Sequence, residues 1–333
     1  MATLYLSEQQ SIVKKRDGYL IVQYPEPDKR KIEVPLIKIS QVVVSGDVTL
    51  TSPAVHTLLE AGIEICYLSM YGHFRGRLSP PVAKNALLRR EQYRAHADQP
   101  RALKVAQACV QGKLENMRTL LLRSNRQLQD SEVADATTAI QHMVREVPRT
   151  TRVGSLLGVE GNGSAAYFGV FGKLVRGPMT FNRRRRRPPT DPVNAMLSLG
   201  YTLLLHQVSA AIQIVGFDPY AGFLHQPRYG RPALALDLME EFRPIIADSV
   251  VLNIINHHIL TEQDFKEELG VVHLKPEARK KFYAKFEERL QEELQHPHFG
   301  YRTSYRRCIE LQARLLGKWL TGEIPTYLPL NVR

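Results

Sequence analysis

The stretch FDPYAGFLHQPRYGRPALALDLMEEFRPIIAD, residues 217–248, predicts a loop followed by a helix rich in acidic side chains. The loop is rich in Gly, Pro and Tyr and holds one histidine, His225. On the helix, Asp237 precedes Glu240 by three residues and Glu241 by four, so the three carboxylates are predicted to share one face. Most other positions of the helix are apolar, which predicts burial. Because buried carboxylates need a partner or a metal ion, the stretch is predicted to carry chemistry.

The composition predicts a globular protein with a polyanionic partner. The 333 residues suit about two domains, and 44% of them are hydrophobic and 23% charged. No run reaches the ~18–20 apolar residues of a membrane helix, and the first residues lack the order of a signal peptide. The three cysteines are scattered, which excludes a disulfide framework or a cysteine-based zinc site and suits a reducing cytoplasm. The net charge of +12 favours a nucleic-acid partner.

The first part of the chain, residues 1–80, predicts a small β-rich domain. Short runs with β-branched or aromatic residues alternate with turn signals. They fall at residues 3–6, 19–23, 31–35, 41–45, 63–68 and 73–78. One helical insert begins at Ser52 and ends at Gly62. A small β-domain of this kind is most often an interaction or dimerisation module.

From Pro80 and Pro81 onward the periodicity is helical, which places the domain boundary there. Helices are predicted at residues 82–97, 101–123, 131–147, 276–295 and 301–321. Asp191 is a predicted N-cap with Pro192 at the first helical position, and the apolar helix that follows is predicted to be the central core helix. The fold class is therefore α+β, with residues 1–80 β-rich and residues 81–333 forming a larger all-α catalytic domain.

Three side chains stand out as candidate metal ligands, and each has a structural alternative. Glu160 lies in the apolar, glycine-rich stretch LLGVEGNGSAAYF, where an arginine partner or exposure to water is the alternative. His225 alone is more often a hydrogen-bonded structural histidine, and Glu240 has a possible salt-bridge partner in Arg243. Together, two carboxylates and one imidazole are a set that favours Mg²⁺ or Mn²⁺ over structural zinc. Three protein ligands leave positions open for water and phosphate.

A basic segment separates two of these candidates. Residues 165–235 hold nine basic and two acidic residues. Five of the basic residues are consecutive: Arg183, Arg184, Arg185, Arg186 and Arg187. Nearby acids are too few to pair with all five, so a phosphate backbone is their natural partner, with a solvated loop or a localisation tag as the alternative. Four tyrosines in the same region could stack on unpaired bases or belong to the core: Tyr167, Tyr201, Tyr220 and Tyr229.

Four motifs resemble the CRISPR-associated integrase and endonuclease family that acquires new spacers. They are LLGVEGNGSAAYF around Glu160, RRRRRPPTDPVNAMLSLGY at residues 183–201, GFDPYAGFLHQPRYGRPALALDLMEEFRP at residues 216–244 and SYRRCIELQARLL at residues 304–316. The resemblance covers essentially the whole chain. It includes the order of a β-domain followed by a helical domain.

The resemblance implies roles for individual residues and partners for the protein. Glu160, His225 and Glu240 fall where the family binds a catalytic divalent metal, Mg²⁺ or Mn²⁺. Asp237 is then an auxiliary group behind the ligands, and Asn194 shapes the site without binding metal. The arginine cluster falls in a region expected to meet DNA. The family forms homodimers through its β-domains, assembles with a second small adaptation protein and works in the prokaryotic cytoplasm.

The implied reaction is the attack of a DNA 3′-hydroxyl on a phosphodiester of the CRISPR repeat, with water in its place giving nuclease activity. Two other functions remain consistent with the sequence. One is a DNA-binding structural subunit without catalysis. The other is an RNA nuclease, because phosphate chemistry by itself does not identify the sugar.

Overall fold

The computed structural model describes residues 2–27, 29–81, 85–186, 188–226 and 228–332. Strands dominate before residue 80 and helices dominate after it, so the predicted α+β class is confirmed. The described part of the first 80 residues forms eight strands, one α-helix and a short 3₁₀ turn at Leu36–Lys38. They are β1 Ala2–Leu6, β2 Ser11–Arg16, β3 Tyr19–Gln23, β4 Lys31–Pro35, β5 Ile39–Ser45, β6 Val48–Leu50, α1 Ser52–Glu60, β7 Glu64–Leu68 and β8 Phe74–Leu78.

These strands form two four-stranded sheets. One sheet has the order β1-β5-β7-β8, with parallel pairs except for the antiparallel pair of β7 and β8. The other has the order β4-β3-β2-β6, with only β2 and β6 parallel. Alternation places Val13 of β2, Leu20 of β3 and Val42 of β5 in a common core with Leu58 of α1. Strand β2 was missed by the sequence reading because its second half, KKR, is exposed and basic.

The described residues after 85 form nine α-helices and two short hairpins, with short 3₁₀ and π-helical segments between them. The helices are α2 Ala86–Ala97, α3 Gln99–Leu128, α4 Ser131–Glu146, α5 Val153–Phe171, α6 Pro192–Val215, α7 Ala233–Met239, α8 Ser249–Asn256, α9 Pro276–Gln291 and α10 Tyr305–Leu320. The hairpins pair β9 Phe265–Glu268 with β10 Val271–Leu274, and β11 Glu293–Gln295 with β12 Arg302–Ser304. The sequence reading missed both hairpins and assigned the last strand pair to the ends of two helices. Residues 82–84, at the start of the first predicted helix, lie outside the described part.

Helix α6 is the central core helix, as predicted. Asp191 caps it by accepting a hydrogen bond from the backbone of Asn194, and Pro192 opens its first turn. By length and composition α6 is the one helix among the described residues that could cross a membrane, although no apolar run was expected to reach that length. In the fold, 72% of its most apolar window is buried. The core packing of the helical part accounts for its apolar character.

The β-rich part is fastened to the helical part by a polar cluster centred on Arg306 of α10. Arg306 donates to Thr3 of β1, to Gln207 of α6 and to Glu287 of α9, at 3.0, 2.6 and 2.6 Å. Stacking of Tyr5 on Tyr283 adds an aromatic contact, with ring centroids 4.8 Å apart. The division at residue 80 into two domains stays a prediction, because these contacts join the two parts closely.

Candidate active site

Glu160 lies where α5 crosses α3 at close range. A side chain at Gly163 would collide with Leu114 of α3, so the glycine permits this approach. The crossing brings Lys113 of α3 into an ion pair with Glu160 Oε1. Ser164, one turn further along α5, donates to the same oxygen at 2.9 Å. An arginine partner was one structural alternative for Glu160, and the cation that the structure places there is a lysine.

Glu240 is buried and begins the 3₁₀ turn that follows α7. Lys113 Nζ lies 2.7 Å from Glu240 Oε2, so the same ammonium group bridges both glutamates. Arg243 Nη2 lies 3.3 Å from Glu240 Oε1, which is the salt bridge that the sequence offered as an alternative. Burial by itself raises the pKa of Glu240, but Arg243 and Lys113 together lower it to about 2. Glu240 is therefore a carboxylate at physiological pH.

Asp237 holds the histidine loop against α7. It is fully buried and accepts hydrogen bonds from the backbone N–H groups of Phe223, Leu224 and His225. His225 Nδ1 lies 2.7 Å from Asp237 Oδ1, and His225 Nε2 lies 4.0 Å from Glu240 Oε1. A Cβ at Gly222 would lie 2.7 Å from Asp237 Oδ2, so the loop can close over the carboxylate only with glycine there. Asp237 thereby aims the far nitrogen of His225 at Glu240.

The prediction that the three carboxylates share one helix face is wrong for Glu241. Helix α7 ends at Met239, a 3₁₀ turn follows, and the segment Arg243–Asp248 is π-helical. Pro244 cannot donate a backbone hydrogen bond, which explains the widened winding. Glu241 lies in the 3₁₀ turn before this segment, and its side-chain partners differ from the Lys113 and Arg243 partners of Glu240.

Glu241 receives the C-terminal tail of the chain. It accepts hydrogen bonds from the backbone N–H of Leu330 at 2.6 Å and from the side chains of Gln312 and Tyr327. Burial raises the pKa of Glu241 to about 8. The acid next to Glu240 is thus a structural anchor for the end of the chain.

The donors present fit a divalent metal by their chemistry. Two carboxylates already converge on one shared cation, and the imidazole beside them leaves Nε2 unused by Asp237. As the side chains stand, no three Asp, Glu, His or Cys side chains within the described ranges form a ready-made metal cage. The Lys113 ammonium instead contacts Glu160 and Glu240 together. A metal ion at this position requires the lysine to withdraw.

Asn194, predicted to shape the site, organises the arginine segment from the first turn of α6. Its amide donates to the carbonyl of Arg183 at 2.9 Å, and its Oδ1 accepts from the backbone N–H of Arg185 at 2.8 Å and from the Arg184 guanidinium at 2.7 Å. Arg184 turns inward, and burial lowers its pKa. Arg183, Arg185 and Arg186 are exposed, whereas Arg187 lies outside the described residues.

Arg184 belongs to a layer of side chains behind the candidate metal ligands. Tyr201 lies between the guanidinium groups of Arg184 and Arg243, with its ring centroid 5.3 and 4.9 Å from them. Its hydroxyl donates to the buried Asp248 at 2.6 Å, and Tyr167 donates to the other oxygen of that carboxylate. Tyr167 and Tyr201 are therefore structural, and of the four tyrosines considered only two are exposed: Tyr220 and Tyr229.

An open groove of about 1030 Å³ begins at this layer and runs between β8, α6 and β10. Five arginines line it and, among the described residues, its lining includes no Asp or Glu. They are Arg77, Arg184, Arg186, Arg243 and Arg279. The Nε atoms of three of them are buried without a hydrogen-bond acceptor among the described residues. A groove with this excess of donors suits a polyanion.

Lys113 is the site residue that the sequence reading missed. A signal for it was present, because Cys109, Lys113 and Met117 are four residues apart on α3 and fall on its buried face. A lysine at a core position of a helix requires a buried acid nearby. No local pattern identifies which acid that is.

A family model described as "CRISPR associated protein Cas1" matches residues 4–288. The chain belongs to the Cas1 family. A relative from Thermus thermophilus, named as a CRISPR-associated endonuclease Cas1, is 37% identical over all of this chain and 98% of its own length. A Cas4/Cas1 fusion from Geobacter sulfurreducens, named as an exonuclease and endonuclease, is 41% identical over 97% of this chain. The chain spans 59% of the length of that fusion.

Solved structures of other proteins share the fold. A casposase bound to an integration product has a TM-score of 0.86 at 24% identity and matches over 99% of this chain and 93% of its own. A Cas6-RT-Cas1–Cas2 complex contains a chain with a TM-score of 0.81 at 28% identity. That match covers 98% of this chain and 36% of the other.

Proposed function

We propose that this chain is a divalent-metal-dependent DNA endonuclease and integrase of CRISPR adaptation, which inserts DNA fragments as new spacers. The observation that carries the proposal is the convergence of Glu160, His225 and Glu240, from three separate segments, beside the basic groove. Membership of the Cas1 family, and relatives named as endonucleases, support the nuclease class. The attack of a 3′-hydroxyl on the repeat DNA is the finer part of the proposal.

Glu160, His225 and Glu240 are the proposed ligands of Mg²⁺ or Mn²⁺. Asp237 acts behind them: its contact with His225 Nδ1 leaves Nε2 as the nitrogen that faces Glu240. Arg243 keeps Glu240 in its charged form. A divalent ion held there supplies charge stabilisation for the phosphate and acidifies the attacking hydroxyl or water.

The DNA backbone is proposed to lie along the arginine segment and the groove. Arg183, Arg185 and Arg186 present exposed guanidinium groups, and Asn194 fixes the backbone that carries them. Arg187 belongs to the same proposal by its position in the sequence. Because arginines bind phosphates through paired hydrogen bonds, an ordered segment of them holds a strand at a defined distance from the glutamates.

The assembly is proposed to involve a homodimer and a second adaptation protein, in the prokaryotic cytoplasm. The structural relative in a complex with Cas2 supports a small partner of that kind. Residues 1–80 are the proposed dimerisation domain and residues 81–333 the catalytic domain. Sedimentation of the purified protein, alone and with the partner, measures both associations.

The proposal is tested by mixing a labelled duplex with free 3′-hydroxyl ends with supercoiled plasmid and purified protein. Reactions contain Mn²⁺, Mg²⁺ or EDTA. We expect label to join the plasmid with either metal and to be lost with EDTA. His225→Ala should abolish joining, whereas His257→Ala is the matched control because His257 is exposed, lies outside the proposed site and has a ring nitrogen 3.0 Å from the carbonyl of Asn253 in the preceding helix.

The outcomes separate the readings. DNA binding without joining under any metal, and with the partner protein added, supports a structural subunit. Cleavage of RNA but not DNA supports an RNA nuclease. Joining that survives both EDTA and His225→Ala contradicts the assignment of the site.

A further inference from the structure

Lys113 lies at the centre of the proposed metal site. Its side chain is buried, with 3% of the residue exposed, and its ammonium contacts Glu160 and Glu240 together. Glu160 comes from α5 and Glu240 from the turn after α7, so the lysine of α3 joins three elements. Arg243 contacts the other carboxylate oxygen of Glu240, whereas Lys113 bridges both acids.

The two glutamates need a cation between them. Two carboxylates that share a buried site repel each other, and each loses hydration on burial. A lysine ammonium is a compact charge on a flexible stem, so it can occupy the position of an ion and can also withdraw from it. A divalent ion that binds the same oxygens must compete with this ammonium.

We propose that Lys113 is the built-in counter-ion of the metal site. It holds Glu160 and Glu240 together in the metal-free protein and weakens metal binding by competing for their oxygens. This inference rests on the proposed metal site but concerns a residue outside the three ligands. It makes Lys113 a positioning residue, whose removal strengthens metal binding instead of weakening it.

The test measures Mn²⁺ affinity and stability, without DNA. Mn²⁺ is titrated into metal-free protein by calorimetry, and free Mn²⁺ is followed by its paramagnetic resonance signal. In Lys113→Met we expect a Kd at least about tenfold lower than in the wild type, because the competing cation is gone. The melting temperature in EDTA should fall, and the rise on adding Mn²⁺ should be larger than in the wild type.

Two variants serve as controls. Lys113→Arg retains a cation and should restore a Kd within a few fold of the wild type. Lys173→Met removes a lysine that also bridges two acids, Asp130 and Glu132, at 2.9 and 2.8 Å. Because Lys173 lies outside the proposed site, its loss should leave the Mn²⁺ Kd unchanged.

Each outcome is decisive. An unchanged or higher Kd in Lys113→Met contradicts the counter-ion role. If Lys113→Met is insoluble without metal, it is purified with Mn²⁺, which should replace the missing charge; failure to fold there also contradicts the inference. Wild-type protein that binds no Mn²⁺, or binding that survives Glu160→Gln, refutes the metal site itself, and the joining assay reports separately on the proposed function.

Discussion

At the scale of single residues, Asp237 determines how the histidine loop meets the glutamates. It accepts three backbone hydrogen bonds from the loop and contacts the imidazole, so backbone and side chain of His225 are fixed by one carboxylate. Groups that orient a metal-binding histidine contribute strongly to its function although they touch no metal.

Asp237→Ala is therefore expected to lower the joining rate by about 10–100-fold, the range found when groups behind metal ligands are removed. The same variant should weaken Mn²⁺ binding in calorimetry. Asp218→Asn is the control, because Asp218 lies in the same loop but bonds to Tyr93 and to the backbone of Tyr220. Equal losses in the two variants contradict a specific role for Asp237.

At the scale of elements, helix α3 connects the site to the end of the chain. Lys113 of α3 contacts the two glutamates, and Asn116, one turn later, donates to the carbonyls of Glu241 and Leu330 at 2.8 and 2.7 Å. Gly112 lies under the tail, where an added Cβ would come within 2.7 Å of Pro329 Cβ and 3.0 Å of Glu241 Cβ. The C-terminal tail can pack against α3 because Gly112 has no side chain.

Gly112→Ala is expected to lower the free energy of unfolding by about 1–3 kcal/mol, because overpacking outweighs the helix preference of alanine. Chemical denaturation measures the change. Gly169→Ala on α5 is the control: its Cβ meets nothing within 4 Å among the described residues, so it should be neutral or stabilise by up to ~1 kcal/mol. A stabilised Gly112→Ala variant contradicts the close docking of the tail.

At the scale of the whole molecule, His206 makes the contact between the β-rich and helical parts sensitive to pH. It is buried on α6, and its ring centroid lies 4.6 Å from that of Phe74 in β8. Burial, helped by Arg77, lowers the pKa of His206 to about 4. Between pH 6.5 and 4 the unfolded chain thus binds a proton that the folded chain excludes.

The contribution of neutral His206 to the free energy of unfolding is fully present above about pH 6.5 and is lost as the pH falls towards 4. Between pH 7 and pH 5 we expect the loss of this contribution to lower the free energy of unfolding by about 2 kcal/mol. The measurement is urea denaturation at both pH values, in the wild type and in His206→Gln, which should lack this part of the loss. His257→Gln is the control: it changes an exposed histidine, so its stability should fall between pH 7 and pH 5 as much as that of the wild type. An equally large fall in His206→Gln would contradict the role of buried His206.

The sequence by itself determined the class of the fold and the chemical types at the candidate site. Apolar periodicity gave helix α6 and its Asp191 cap, because both depend on neighbours within a few residues. The conflict between acidic and apolar residues marked Glu160 and Glu240 as residues in need of a cation.

Only the tertiary structure decided which cation they meet. Lys113 lies 47 residues from Glu160 along the chain, and the two meet because α3 and α5 pack closely at Gly163. Glu241, in the 3₁₀ turn after α7, finds its partners in the C-terminal tail and not at the cation that Glu160 and Glu240 share, although the sequence predicts a shared face. Local patterns report the preferences of single elements, whereas the choice of buried partners depends on packing between distant ones.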